Sequence, residues 1–112
     1  MCAAFRKQKD YMTLFRAVNY LPANVHVLCV GDGEYREEHE AYCKTHDLSS
    51  RVHFLGLRKD VARIFKASDV IVLSTYYEGF SIAMLEAMAT GRPFVASAVP
   101  GIQDLVEVVE MV

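Results

Sequence analysis

At 112 residues the chain has room for one domain with one modest core. Its 53% apolar and 23% charged content excludes a disordered chain, and a formal net charge of −2 offers no broad cationic surface, so nucleic acid is not an expected partner. No apolar run approaches the ~20 residues needed to cross a bilayer, and the first residues lack the apolar core of a signal peptide.

Met1-Cys2-Ala3-Ala4-Phe5 is short and apolar, like the tail of a strand, and the basic turn Arg6-Lys7-Gln8-Lys9 follows it. From Asp10, the residues Tyr11, Leu14, Phe15, Val18 and Leu21 recur at helical spacing, with Asp10 placed to cap and Pro22 just past the end. Val25 to Val30 is near-continuously apolar, as in strands buried on both faces, and stops at Gly31-Asp32-Gly33. Glu34 to Asp47 is highly charged, with Tyr35, Ala41 and Tyr42 as its apolar residues, and reads as an amphipathic surface helix. Arg51 to Gly56 is a further strand. Asp60 to Ala67 is a short helix with Asp60 as cap and Val61, Ile64 and Phe65 on one face.

Val70 to Leu73 then forms a strand, followed by the turn Glu78-Gly79-Phe80, a helix from Ser81 to Ala89, the stop Gly91-Arg92-Pro93, and a strand from Phe94 to Ser97. Ile102 to Val112 is helical, with Leu105, Val106 and Val109 on one face. Alternation of strands and helices with short links predicts an α/β, Rossmann-like open parallel sheet with helices on both faces.

Ligands of such sheets bind beyond the carboxyl ends of strands. At one such end, Ser81 can cap its helix, but Met84 cannot complete a capping box, which leaves amides near residues 80–83 unsatisfied. Free amides at a helix N-terminus suit a phosphate, and Gly79 allows close approach. Glu86 lies about 6–8 Å further along the helix axis. There a carboxylate can accept hydrogen bonds from the two hydroxyls of a ribose, while Glu78 reaches the group beyond the phosphates. The plainer alternative makes Glu86 a surface acid and Glu78 a turn residue.

Gly31 and Gly33 form either a plain tight turn or one that lets backbone approach a phosphate or sugar. A dinucleotide fingerprint is excluded, since its third glycine would fall at Arg36. Lys9 is the best placed cation of the first basic turn for a phosphate, against a solvated turn as the alternative. His26 and His53 lie in strand-like segments, and His39 and His46 are not at metal-pair spacing, so no metal site is expected. Cys2, Cys29 and Cys43 are odd in number without a C-x-x-C spacing, and free thiols suit a reducing cytoplasmic location.

Taken together, Phe5-Arg6-Lys7-Gln8-Lys9-Asp10, Val30-Gly31-Asp32-Gly33, Arg51 to Gly56, Ala67-Ser68-Asp69-Val70, Glu78-Gly79-Phe80 through Ala89, Gly91 to Ser97 and Pro100-Gly101-Ile102 match one family in order and spacing. The chain resembles the C-terminal, nucleotide-sugar-binding half of a retaining GT-B glycosyltransferase of group 1, or family 4. The E-x7-E pair, Glu78 and Glu86, is the most specific element. The resemblance implies transfer of a sugar from a nucleotide diphosphate sugar to an acceptor hydroxyl with retention, without a cofactor or metal. Glu78 and Lys9 would be the catalytic residues, Glu78 near the donor sugar and Lys9 on the leaving phosphate. Glu86 would hold the ribose. Gly79 and the amides of Phe80, Ser81 and Ile82 would meet the diphosphate, Gly31 and Gly33 would line the donor site, and the backbone of Leu57 and Arg58 would meet the base.

Three departures stand out: Ala4 where the family often has Arg, one glycine at Pro100-Gly101 where two are common, and Asp104 where Glu is frequent. The resemblance implies an acceptor-binding N-terminal domain outside residues 1–112, which are thus expected to be a partial donor domain, truncated at both ends and inactive alone; a helix that docks on a membrane would belong to that other half, so this chain does not decide membrane association. The alternatives are a non-catalytic nucleotide-binding or interaction module, and a receiver-like or scaffold domain without nucleotide affinity.

Overall fold

In the computed structural model, which describes residues 1, 9–74 and 82–97, four helices alternate with four strands among the described residues. α1 (Tyr11–Val18) starts at the expected cap: an Asp10 carboxylate oxygen accepts from the Thr13 amide at 3.1 Å, and the Thr13 hydroxyl donates to the other oxygen. Its stripe Tyr11, Leu14, Phe15 and Val18 is buried. Leu21, expected on the same stripe, is instead 41% exposed beyond the helix end. Pro22 disfavours helical backbone at the residue before it, so the stripe stops one turn short.

β1 (Val27–Val30) and β2 (Val52–Gly56) pair in parallel, Val27 opposite Val52 and Leu28 opposite His53. Both begin later than the apolar runs suggest. Arg51 is used as a clamp instead, its guanidinium donating to the carbonyls of Val25 (3.1 Å) and Pro22 (2.7 Å). Between them lies α2 (Arg36–Thr45). It closes with Asp47 in left-handed backbone (φ 57°), while the Leu48 amide donates to the Cys43 carbonyl at 2.7 Å and the Asp47 amide faces that of Lys44 at 3.4 Å. This double bond pattern seals the helix end and drops Leu48 into the core beside Cys43.

The buried face of α2 differs from expectation. His39 and Cys43 are buried, whereas Ala41 is exposed. His39 packs against the rings of Tyr11, Phe15 and Tyr35, which treat it as an aromatic.

α3 (Val61–Ala67), β3 (Ile71–Leu73), α4 (Ile82–Ala89) and β4 (Phe94–Ala96) follow, and β3 and β4 pair in parallel. The sheet appears as two ladders among the described residues, β1–β2 and β3–β4. Met1 shows what lies beside β1. Its amino group donates to the Leu28 carbonyl (2.7 Å) and its carbonyl accepts from Val30 (2.8 Å), the paired bonds of a parallel ladder opposite Cys29. The amides of Val27 and Gly31 point the other way, to Arg51 and Gly56 across the β2 edge. The order is therefore β2, β1, Met1.

Alternate strand residues separate two cores. Cys29 and Val52 lie with α1 and α2 in one cluster, which Val72 and Phe54 also touch. Ile71 lies with Phe65 of α3 and Ala87 of α4 in the other, with Val61 and Phe94 against it. Helices thus cover both faces, as expected of this architecture.

Candidate functional site

The carboxyl ends of the strands gather the described parts of the candidate site. After β1, Gly31 adopts φ 144°, a conformation suited to glycine, and its amide donates to the Gly56 carbonyl at 2.9 Å. Asp32 folds back to accept from the Gly33 amide (2.8 Å). Gly33 in turn offers its carbonyl to the Arg36 amide (3.2 Å). The turns after β1 and β2 are thereby joined side by side.

Arg36 reinforces the junction. Its Nε donates to Glu40 (2.9 Å), a terminal nitrogen lies 3.5 Å from Asp32, and a Cβ on Gly56 would stand 3.3 Å from Nη1. Hydrogen bonding to Glu40, with the charges of Glu40 and Asp32, holds this guanidinium still more firmly protonated than usual. Sequence reasoning met Arg36 only as the residue that spoils a dinucleotide fingerprint. That misfit was the available signal, because a long cation occupies the space a third glycine would leave open.

Beyond Gly56, Leu57 is 81% exposed. Arg58 grips Asp60 with two bonds of 2.9 and 2.8 Å, and this pairing holds the Asp60 carboxyl below its usual range. Asp60 therefore does not cap α3 with its side chain, as expected from sequence; Arg58 holds the carboxylate instead. Leu57 and Arg58, whose backbone the resemblance assigns to the base, thus follow β2 with the Leu57 side chain exposed and the Arg58 guanidinium engaged on Asp60.

After β3, the Ser74 hydroxyl donates to the Asp10 carbonyl at 2.7 Å and lies 3.5 Å from the Met1 sulfur. This bond ties the start of α1, and so Lys9, to the end of β3. The Lys9 carbonyl accepts from the Tyr11 amide at 2.7 Å. Ser74 carried no expectation, though its place just after an apolar run marks a strand end. Glu86 stands in α4 next to the buried Ala87 and is exposed, so its carboxylate is accessible. Ile82 opens that helix. Glu78, Gly79, Phe80 and Ser81 lie outside the described residues.

Among the described residues no three His, Cys, Asp or Glu side chains gather as a metal cage, and no helix is long and apolar enough to cross a membrane.

A parallel α/β sheet with glycine turns joined at its carboxyl edge is a Rossmann-like architecture, whose ligands bind beyond the strand ends. The family of glycosyl transferases group 1 matches residues 1–111, and the chain belongs to it. It is 41% identical over 90 residues to the UDP-Gal:alpha-D-GlcNAc-diphosphoundecaprenol alpha-1,3-galactosyltransferase of Escherichia coli, covering 80% of this chain and 23% of that protein. It is 32% identical over 105 residues to the N-acetyl-alpha-D-glucosaminyl L-malate synthase of Bacillus anthracis, covering 92% of this chain and 28% of the other. Among solved structures, Anabaena HepE in complex with UDP-glucose superposes with a TM-score of 0.85 at 30% identity, over 93% of this chain and 31% of that one. The fold is that of a Rossmann-like half of a GT-B glycosyltransferase. The chain spans less than a third of the length of each of these relatives.

Proposed function

We propose that this chain is the donor-binding part of a glycosyltransferase that moves a sugar from a nucleotide diphosphate sugar to an acceptor hydroxyl with retention. The observation that supports this best is the junction at the carboxyl edge, where Gly31 bonds Gly56 and Ser74 bonds Asp10 beside Lys9, in a chain of this family. In this scheme the backbone of Leu57 and Arg58 meets the base, Glu86 accepts from the ribose hydroxyls, and the amides at Phe80, Ser81 and Ile82 receive the diphosphate with Gly79 beneath. Lys9 and the helix N-terminus neutralise the charge that grows on the leaving diphosphate, which is where electrostatic stabilisation has most effect. Glu78 faces the donor sugar. The acceptor is held by residues outside this chain.

A uridine donor is the first to test, because HepE was solved with UDP-glucose and the E. coli relative is named for UDP-Gal. Free buried thiols at Cys29 and Cys43 suit the reducing cytoplasm. The decisive experiment is a thermal-shift panel of UDP, GDP, ADP and their sugars on the purified chain. A nucleotide at 100 times its dissociation constant adds about 2.7 kcal/mol. Stabilisation by one nucleotide class is expected; no shift with any of them refutes donor binding. A second reading is a nucleotide-binding module without catalysis. It predicts the same shift but no sugar transfer once the remaining part of such an enzyme is supplied.

A further inference from the structure

Arg36 opens α2, just behind the turn after β1, and its guanidinium crosses to the end of β2. A Cβ on Gly56 would stand 3.3 Å from Nη1, so the guanidinium lies against the last residue of that strand, immediately before the exposed Leu57. A guanidinium carries five N–H donors in one rigid plane. Here Nε donates to Glu40 at 2.9 Å, and Nη1 faces Asp32 Oδ2 at 3.5 Å, while the other oxygen of that carboxylate holds the Gly33 amide. Those two contacts fix the plane and leave the N–H groups of Nη2 without a partner among the described residues. The side chain is 31% exposed, which leaves it accessible. Arg58, in the turn itself, has both Nε and Nη2 on Asp60.

The charges around Arg36 decide what class of group it can take. Two carboxylates, Asp32 and Glu40, flank this guanidinium, and Glu37 and Glu38 lie in the first turn of α2. A phosphate brought here would meet an excess of like charge. A neutral acceptor such as a carbonyl avoids that cost and still gains a hydrogen bond from a charged donor. On the donor-binding reading, on which this rests, the base comes to the backbone of Leu57 and Arg58, directly after Gly56. We propose that Arg36 selects the base of the donor, its Nη2 group donating to a ring carbonyl of uracil or guanine. Adenine has no carbonyl, and its amino group stands where guanine has one, so two donors would face each other. The acids that flank Arg36 aim its plane, and the glycine at the end of β2 leaves the room in which it lies.

Calorimetric titration of the full chain with UDP, GDP, ADP and inorganic pyrophosphate tests this. UDP or GDP should bind at least about tenfold more tightly than ADP, the scale of one hydrogen bond from a charged donor. Arg36→Lys keeps the charge but not the planar fork, and Arg36→Ala removes both. In each, the favoured nucleotide should lose about tenfold while ADP and pyrophosphate stay within about twofold. Lys44→Ala, at the far end of α2, should change nothing. Losses of equal size for every ligand, pyrophosphate included, would make Arg36 only a strut between the turns and overturn the assignment. So would ADP binding as tightly as UDP and GDP in the parent chain, or unchanged discrimination in both variants; either leaves donor binding standing. No nucleotide binding at all refutes donor binding itself, and the role of Arg36 with it.

Discussion

Replacing Gly56 by Ala separates two causes that the structure places at one atom. Gly56 has φ +71°, and an added Cβ would meet Arg36 Nη1 at 3.3 Å. Left-handed backbone costs a residue with a Cβ about 1–2 kcal/mol. The contact costs less, since Nη1 is the far end of a flexible side chain and its ion pair with Asp32, at 3.5 Å, is partly exposed. Such a pair contributes at most about 0.5 kcal/mol. Backbone conformation should therefore dominate, with a loss of about 1.5 kcal/mol. At a urea slope near 2 kcal/mol/M the unfolding midpoint falls by about 0.7 M. The assay is equilibrium urea unfolding of the parent chain, Gly56→Ala, Arg36→Ala and the double variant. Coupling between the two positions should stay below about 0.5 kcal/mol. Recovery of the loss in the double variant would show that the contact, not the backbone, was the cause, and an unchanged midpoint in Gly56→Ala would refute both.

Glu86→Gln should weaken nucleotide binding by about 1–3 kcal/mol in calorimetry, the scale of a hydrogen bond to a charged group, with the fold unchanged because the side chain is exposed. Asp10→Ala removes the cap on Thr13 and should cost about 1 kcal/mol in urea unfolding; no loss would mean that the Thr13 amide finds an equivalent partner. Burial lowers the proton affinity of His39, against a smaller opposing pull from Glu38. The unfolded chain takes that proton first, near pH 6.5, so stability should be full above that pH, fall as pH drops towards the lowered folded value, and level off below it. His39→Gln should remove this slope from unfolding curves taken across the range. Burial pushes the Cys29 thiol up to about 12 and the Cys43 thiol up to about 11, so at pH 8 Ellman's reagent should label neither until urea is added.

Local chemistry was readable wherever it was also decisive. Asp10 before a run with helical spacing told of α1, because cap and stripe sit within a few residues of each other. Gly91 closing α4, its amide on the Met88 carbonyl at 3.2 Å, was readable for the same reason. Competing and long-range partners were not. Asp60 looked like a cap, but a local competitor, Arg58 two residues away, took both its oxygens. His39 counted as polar on a charged helix, and only the arrival of Tyr11 and Phe15 from α1 made it core. Strand order was also hidden, since the opposition of Met1 and Cys29 depends on which edge of β1 is free. Of the candidate site, Gly31 and Gly33 were legible as a turn, whereas the role of Arg36 over Gly56 required two strands to lie side by side.

The bond from Ser74 to Asp10 spans 64 positions. Nearly all of the first core, from Tyr11 to Val52, is complete in the chain well before Ser74 is made. On a ribosome, which releases the chain from its amino end, that core can close while the carboxyl edge of the sheet still lacks one wall. The region holding Lys9 would then wait, capped at Asp10 but unanchored, until the end of β3 emerges. Order of synthesis thereby separates the building of the scaffold from the building of the site, and leaves the site as the later and more easily perturbed step.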